Sequence, residues 1–184
     1  MARANTTKRA ILDAALELAA TKGITGTTMD EVAERAGVAK GSLYYNFSSK
    51  DQLFEALLHE GVGALADSLR SAKGELRGWE AINALVTDLL DLIAANAPLA
   101  KLMASEIFRT DRAWQETLFA LRHDALAVFA EAIDETDAPA GRSGIMASSV
   151  FGAVLMSGLE WLVFEPDRDR DDVAAAILAT LRVR

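Results

Sequence analysis

An all-helical fold of about nine helices is predicted, with a three-helix helix-turn-helix domain over residues 1–50 and a second helical domain over residues 51–184. Three observations predict it. Apolar residues recur three and four apart through most of the chain, the period of an amphipathic helix. Glycine, proline and polar clusters interrupt that pattern at residues 23, 37, 74–78, 96–98, 135–144 and 165–167, where helices should stop and restart. Between Thr28 and Lys50 two short helices flank a tight turn at Gly37, the spacing of a helix-turn-helix.

Composition supports a folded chain with a real core: 184 residues, 51% of them apolar. There is no cysteine, so neither a disulfide framework nor a thiolate metal site is expected. The first ten residues, MARANTTKRA, lack the apolar core of a secretory signal, and a cytoplasmic protein is expected. Net charge is −8, unevenly spread. Residues 1–50 carry seven Lys/Arg against five Asp/Glu, whereas the remainder carries twelve against twenty-two. A basic head on an acidic body would orient head-first on a polyanion. Catalysis has little to work with: the histidines are His59 and His123 only, with no glycine-rich phosphate loop and no Glu-x-x-His pair. No enzyme, catalytic residue, metal or cofactor is expected.

The first helix should cover residues 6–22, capped by Thr6 or Thr7, with Ile11, Ala15 and Leu18 inward and Gly23 as its stop. Arg3, Lys8 and Arg9 at its start are either a phosphate-reaching arm or a solvated basic end. Thr28 with Glu31 makes a capping box that opens the second helix, which ends at Gly37. The third spans residues 40–47, with Leu43 and Phe47 inward and Lys40, Ser42, Tyr44, Tyr45 and Asn46 outward. Ser49 should cap a long fourth helix, with Gln52 closing a second capping box and an apolar stripe running to residue 73. Helices then follow over residues 79–96, 98–108, 111–134 (capped by Asp111) and 144–164, and a last one carries Val173, Ile177 and Leu181.

The outer face of the third helix points to function. Exposed tyrosines beside a lysine and a serine suit a phosphate-lined groove, where hydroxyls and ammonium groups donate to phosphate oxygens and Lys or Asn reaches base edges. Gly41 allows close backbone approach. The simpler alternative is a turn between scaffold helices with both tyrosines packed on neighbours.

The runs AILDAALELAATKG and TTMDEVAERAGVAKGSLYYNFSSKDQLFEALL resemble the N-terminal domain of the TetR family of transcriptional regulators. The resemblance covers about a quarter of the chain. It implies that Thr28 meets a phosphate, that Lys40 and Gly41 sit near base edges, that Ser42, Tyr44 and Tyr45 contact phosphates, sugars or thymine methyls, and that Lys50 neutralises a backbone phosphate. Two departures stand out. Ala39 replaces the family's frequent serine, which removes an N-cap, and Asn46 replaces a frequent histidine.

The stretch Ile145–Phe164 holds one charge, Glu160, and apolar residues on every face. Such a helix is buried all round or lies in a membrane. Glu160 and three serines interrupt it and acidic residues follow, so burial by the body on one side and by a second copy on the other is expected, with no membrane partner. Paired with the last helix and their two-fold mates, it would form a four-helix homodimer interface, as in TetR-like proteins. The resemblance also implies an effector pocket within the body. Polar and aromatic residues on its apolar helices are the candidates for ligand binding: Asn83, Glu106, Arg109, Trp114, His123, Met156, Glu160 and Trp161. The function implied is a homodimeric repressor released from a palindromic DNA operator by a small apolar or amphipathic ligand. A ligand-independent or activating DNA-binding protein is the alternative.

Overall fold

A computed structural model describes residues 2–106, 108–109 and 111–182, with the backbone alone for residues 2–5. Its elements are α1 (Ala2–Gly26), α2 (Met29–Arg35), α3 (Lys40–Asn46), α4 (Lys50–Val62), α5 (Leu65–Lys73), α6 (Gly78–Ala95), α7 (Ala97–Glu106), α8 (Gln115–Asp134), α9 (Ser143–Phe164) and α10 (Arg170–Leu181). The all-helical fold is as expected, and no strand occurs among the described residues. The long helix expected from Ser49 to residue 73 is two among the described residues, α4 and α5. The break falls at Gly63 and Ala64, and a Cβ on Gly63 would strike the His59 carbonyl oxygen.

Other boundaries also move. α1 begins at Ala2, so Thr6 and Thr7 lie within it rather than at its cap. Gly23, at φ 76°, interrupts it where a stop was expected. α8 begins at Gln115, not at Asp111, and the Trp114 carbonyl takes its first turn's Leu118 amide. Asn96 opens α7: its Oδ1 accepts from the Leu99 amide, which leaves Pro98 one residue inside the first turn.

The described chain forms two compact units. The first comprises residues 1–63 with 101–118, and the second 64–100 with 119–184. By packing, the first unit runs past residue 50, because α4 lies on α1 and buries Leu53, Phe54, Leu57 and Leu58. Ile11, Ala15, Ile24, Val32, Leu43 and Phe47 are buried in the same unit. Trp114 joins them, with its ring centroid 6.1 Å from that of Phe54.

In the second unit α6 is central and packs against α5, α9 and α10. Leu85, Val86, Leu89 and Leu90 of α6 are buried with Phe129, Val150, Val154 and Ile177 in one cluster. α9 buries one stripe, Ala147, Val150, Val154 and Gly158, spaced as a helix face. Its other side is bare: Ile145, Met156, Val163 and Phe164 are exposed. By length and composition α9 is sufficient to cross a membrane, and only 22% of its apolar window is buried within the chain. One face of α9 is thus covered by its own unit and the opposite face is not.

Candidate nucleic-acid interface

The interface is assembled from local signals. The Thr28 hydroxyl accepts from the Glu31 amide, and the Glu31 carboxylate accepts from the Thr28 amide at 2.9 Å, which completes the predicted capping box and starts α2. Val32 and Ala33 are buried and fasten α2 to the core beneath. Gly37, at φ 65°, makes the turn in the conformation that glycine adopts without a Cβ penalty. The Val38 amide bonds back to the Ala33 carbonyl and closes it.

α3 then presents two faces. Leu43 is fully buried and Phe47, its C-cap, is 2% exposed. Lys40, Gly41, Ser42, Tyr44 and Tyr45 are on the exposed side, with Tyr45 90% and Tyr44 50% exposed. The alternative in which both tyrosines pack against neighbours is thus excluded for Tyr45. Ala39 occupies the N-cap with no side-chain hydrogen bond, the weakness expected of alanine there. Asn46 donates from Nδ2 to the Ser42 carbonyl at 2.8 Å, so its amide is turned onto its own helix. Ser49 caps α4 by accepting from the Gln52 amide, but Gln52 does not return the bond to Ser49. Its Oε1 accepts instead from the amide and hydroxyl of Ser48, one residue earlier, so the second capping box is a shifted one.

Charges on this unit are mostly matched in place. Lys8 meets Glu60, Arg9 meets Asp13, Lys22 meets Glu31, Arg35 meets Glu17 and Lys40 meets Asp30. The side chain of Arg3 lies outside the described residues. Hydrogen bonds from Lys22 and then from Thr28 hold the Glu31 carboxyl at about 2, well below the ordinary range. Lys40 is pushed up by its hydrogen bond and attraction to Asp30. Lys50 behaves differently. Its ammonium donates to the Thr25 carbonyl at 3.1 Å, and partial burial, followed by repulsion from Arg112, lowers its pKa.

Behind Thr25 stands a group that spacing did not reveal. Arg112 donates from Nη2 to the Thr25 hydroxyl at 2.8 Å, and its Nε lies 3.4 Å from Glu106 Oε2. Glu106 is 3% exposed. Glu106 Oε2, Arg112 Nε and the Trp114 Nε1 are buried without an aligned hydrogen bond.

The eight candidate ligand residues fall in three places. Glu106, Arg109 and Trp114 belong to the first unit, where Arg109 is exposed and Trp114 is core. Asn83 and His123 are exposed residues of the second unit, as His59 is of the first. Met156, Glu160 and Trp161 come together with Arg168 in an open groove of about 590 Å³ between α9 and α10. Glu160 is exposed there. The Trp161 Nε1 is occupied by the Arg168 carbonyl at 2.9 Å.

Comparison with known proteins agrees with this geometry. The family model described as bacterial regulatory proteins, tetR family, matches residues 11–57, the stretch from α1 into α4. Two curated relatives from Pseudomonas putida, the HTH-type transcriptional regulator SrpR and the uncharacterized HTH-type transcriptional regulator TtgW, are each 34% identical over 100 residues, 54% of this chain. The matched stretch spans 45% of the length of SrpR and 71% of that of TtgW. Among solved structures, FadR from Bacillus subtilis in complex with stearoyl-CoA superposes with a TM-score of 0.77 at 20% identity, covering 94% of this chain and 96% of that one. AibR in complex with isovaleryl coenzyme A and operator DNA superposes with a TM-score of 0.80 at 20% identity, covering 95% and 97%. At that identity the two structures establish the shared fold. With the family model seated on the helix-turn-helix and TtgW matched over most of its length, the chain belongs to the TetR family of bacterial transcriptional regulators, a family of regulators and not of enzymes.

Proposed function

We propose that this protein is a cytoplasmic homodimeric repressor that reads a near-palindromic DNA operator through α3 and leaves it when a small amphipathic ligand binds. The observation that carries the DNA reading is the exposed face of α3: a tyrosine 90% exposed beside Lys40, Gly41, Ser42 and a half-exposed Tyr44, on a helix pinned from behind by Leu43. Large aromatic hydroxyls left in water at a helix-turn-helix are explained by a partner rich in acceptors. Thr28 and Lys50 flank that face as phosphate contacts. The bare side of α9 supports pairing through that helix, and α10, which lines the groove beside it, is placed to join the pairing.

The effector class is an acyl-coenzyme A thioester. It has the amphipathic character expected of the ligand, and FadR and AibR, which share the fold, were each solved with one. Eight candidate residues spread over three places favour a second reading, in which the protein binds DNA without an effector.

Gel-shift titration on DNA from upstream of its own gene tests both. The repressor reading expects a specific shift by wild type, reversed by isovaleryl-CoA or stearoyl-CoA, and none by Tyr44→Ala or Lys50→Ala, with all three proteins dimeric by light scattering. Unchanged binding by both variants would sink the assigned face. Intact binding that no acyl-CoA alters would favour the second reading.

A further inference from the structure

The recognition lysine is engaged before any DNA arrives. Lys40, the first residue of α3, donates from Nζ to Asp30 Oδ2 at 2.6 Å. Asp30 stands in the first turn of α2, two residues after the cap Thr28. Both side chains are well exposed, 66% for Lys40 and 58% for Asp30. Exposed pairs of this kind contribute little to folding. The two helices are already fixed by buried Val32, Ala33 and Leu43. The pair is therefore free to serve another purpose, and it lies on the face assigned to DNA.

Its electrostatic effect follows from counterion release. A cation that neutralises a phosphate adds about 0.9 to the slope of log affinity against log salt, whatever the DNA sequence. Paired with Asp30, Lys40 brings no net charge and adds little to that sequence-blind attraction. To seize any passing phosphate it must leave Asp30, which then faces the DNA backbone as an unpaired anion. A base edge offers a different exchange. The ammonium is held at the N-terminal end of α3, the end of a recognition helix that meets bases, where a guanine O6 or N7 accepts from it without displacing its neighbour.

We propose that Asp30 is a specificity-determining residue, which withholds Lys40 from phosphates and so suppresses binding to DNA of the wrong sequence more than binding to the operator. The inference rests on the DNA-binding reading above. Asp30 acts through Lys40 and is a positioning residue, since its carboxylate need touch no base.

The test compares a duplex enriched by wild-type protein from a random pool with a scrambled duplex of equal length, across about 50 to 200 mM salt. Asp30→Asn keeps shape and is expected to keep the thermal midpoint. It should bind the scrambled duplex about fivefold tighter at low salt, the worth of one charge at contact distance in water. Its salt slope on that duplex should steepen by about 0.9. The enriched duplex should gain less, so the ratio of the two affinities falls. In the background of Lys40→Met the same Asp30→Asn change should shift both duplexes alike and leave the ratio unmoved, because no lysine remains to be redirected. If wild type enriches no sequence, the DNA reading fails and the proposal with it. If wild type binds selectively but Asp30→Asn leaves slope and ratio unchanged, or lowers the ratio equally with and without Lys40, the role of Asp30 alone is overturned.

Discussion

Replacing Glu106 by alanine removes one partner of a buried ion pair and leaves the other behind. Glu106 Oε2 lies 3.4 Å from Arg112 Nε and Oε1 lies 3.6 Å from Arg109 Nε, while the carboxylate side chain is 4% exposed. Arg109 is half in water and can stay solvated without it, but the Arg112 side chain is only 17% exposed. Stranding one buried charge costs about 3–5 kcal/mol. Arg112 keeps its bond to the Thr25 hydroxyl and its position 5.6 Å over the Trp114 ring, so the low end, about 3 kcal/mol, is expected for Glu106→Ala. At roughly 2–4 °C per kcal/mol for a chain of this size, the thermal midpoint should fall by about 6–12 °C. Arg112→Met should be damaging for the converse reason. The double variant Glu106→Ala/Arg112→Met removes both charges and should be more stable than Arg112→Met alone. Urea denaturation followed by far-UV circular dichroism on the four proteins closes the cycle. If the losses of the two single variants simply add in the double, the pair is not coupled and the reasoning fails.

Two further outcomes follow from the caps. Ala39→Ser should stabilise α3, but by no more than about 0.5–1 kcal/mol, because the Ser42 amide already bonds the Ala39 carbonyl at 2.9 Å; a lower urea midpoint than wild type would contradict this. Glu31 has a folded pKa near 2 against an ordinary 4.5, so its contribution is complete above pH 4.5 and is lost as pH falls towards 2. The stability gap between wild type and Glu31→Gln should accordingly be constant at neutral pH and close over that acid window, and a gap that persists at the bottom of the window would assign the effect to something other than the carboxylate.

What could be read from the sequence was what neighbours within a turn or two decide. Thr28 and Glu31 are three apart, so their capping box is visible in the string. Leu43 and Phe47 lie one turn apart on the inner side of α3, and that periodicity placed Tyr44 and Tyr45 outside. The scarcity of charge along α9 foretold a helix its own chain would not fully cover, and Ile145, Met156 and Phe164 are exposed accordingly. What escaped was set by backbone geometry or by distance along the chain. A glycine in an apolar helical stripe is ambiguous, so Gly63 concealed the division of α4 from α5. Arg112 meets Thr25 across 87 residues, and Glu106 is six positions before Arg112, a spacing that matches no single helix face. Lys40 and Asp30 are ten apart across a turn whose two helices were correctly placed, and only their opposite signs hinted that they meet. The ligand candidates were chosen for polarity on apolar helices, a criterion blind to which helix faces end up inside.

Joint reading of DNA by two copies of this chain through α3 is tested by footprinting of the protein on DNA upstream of its own gene. Two protected half-sites of related inverted sequence are expected, their centres about 34–36 Å apart or a multiple of that, both lost with Tyr45→Ala although the dimer persists. A single protected patch without internal symmetry, or a footprint that Tyr45→Ala leaves intact, would contradict it.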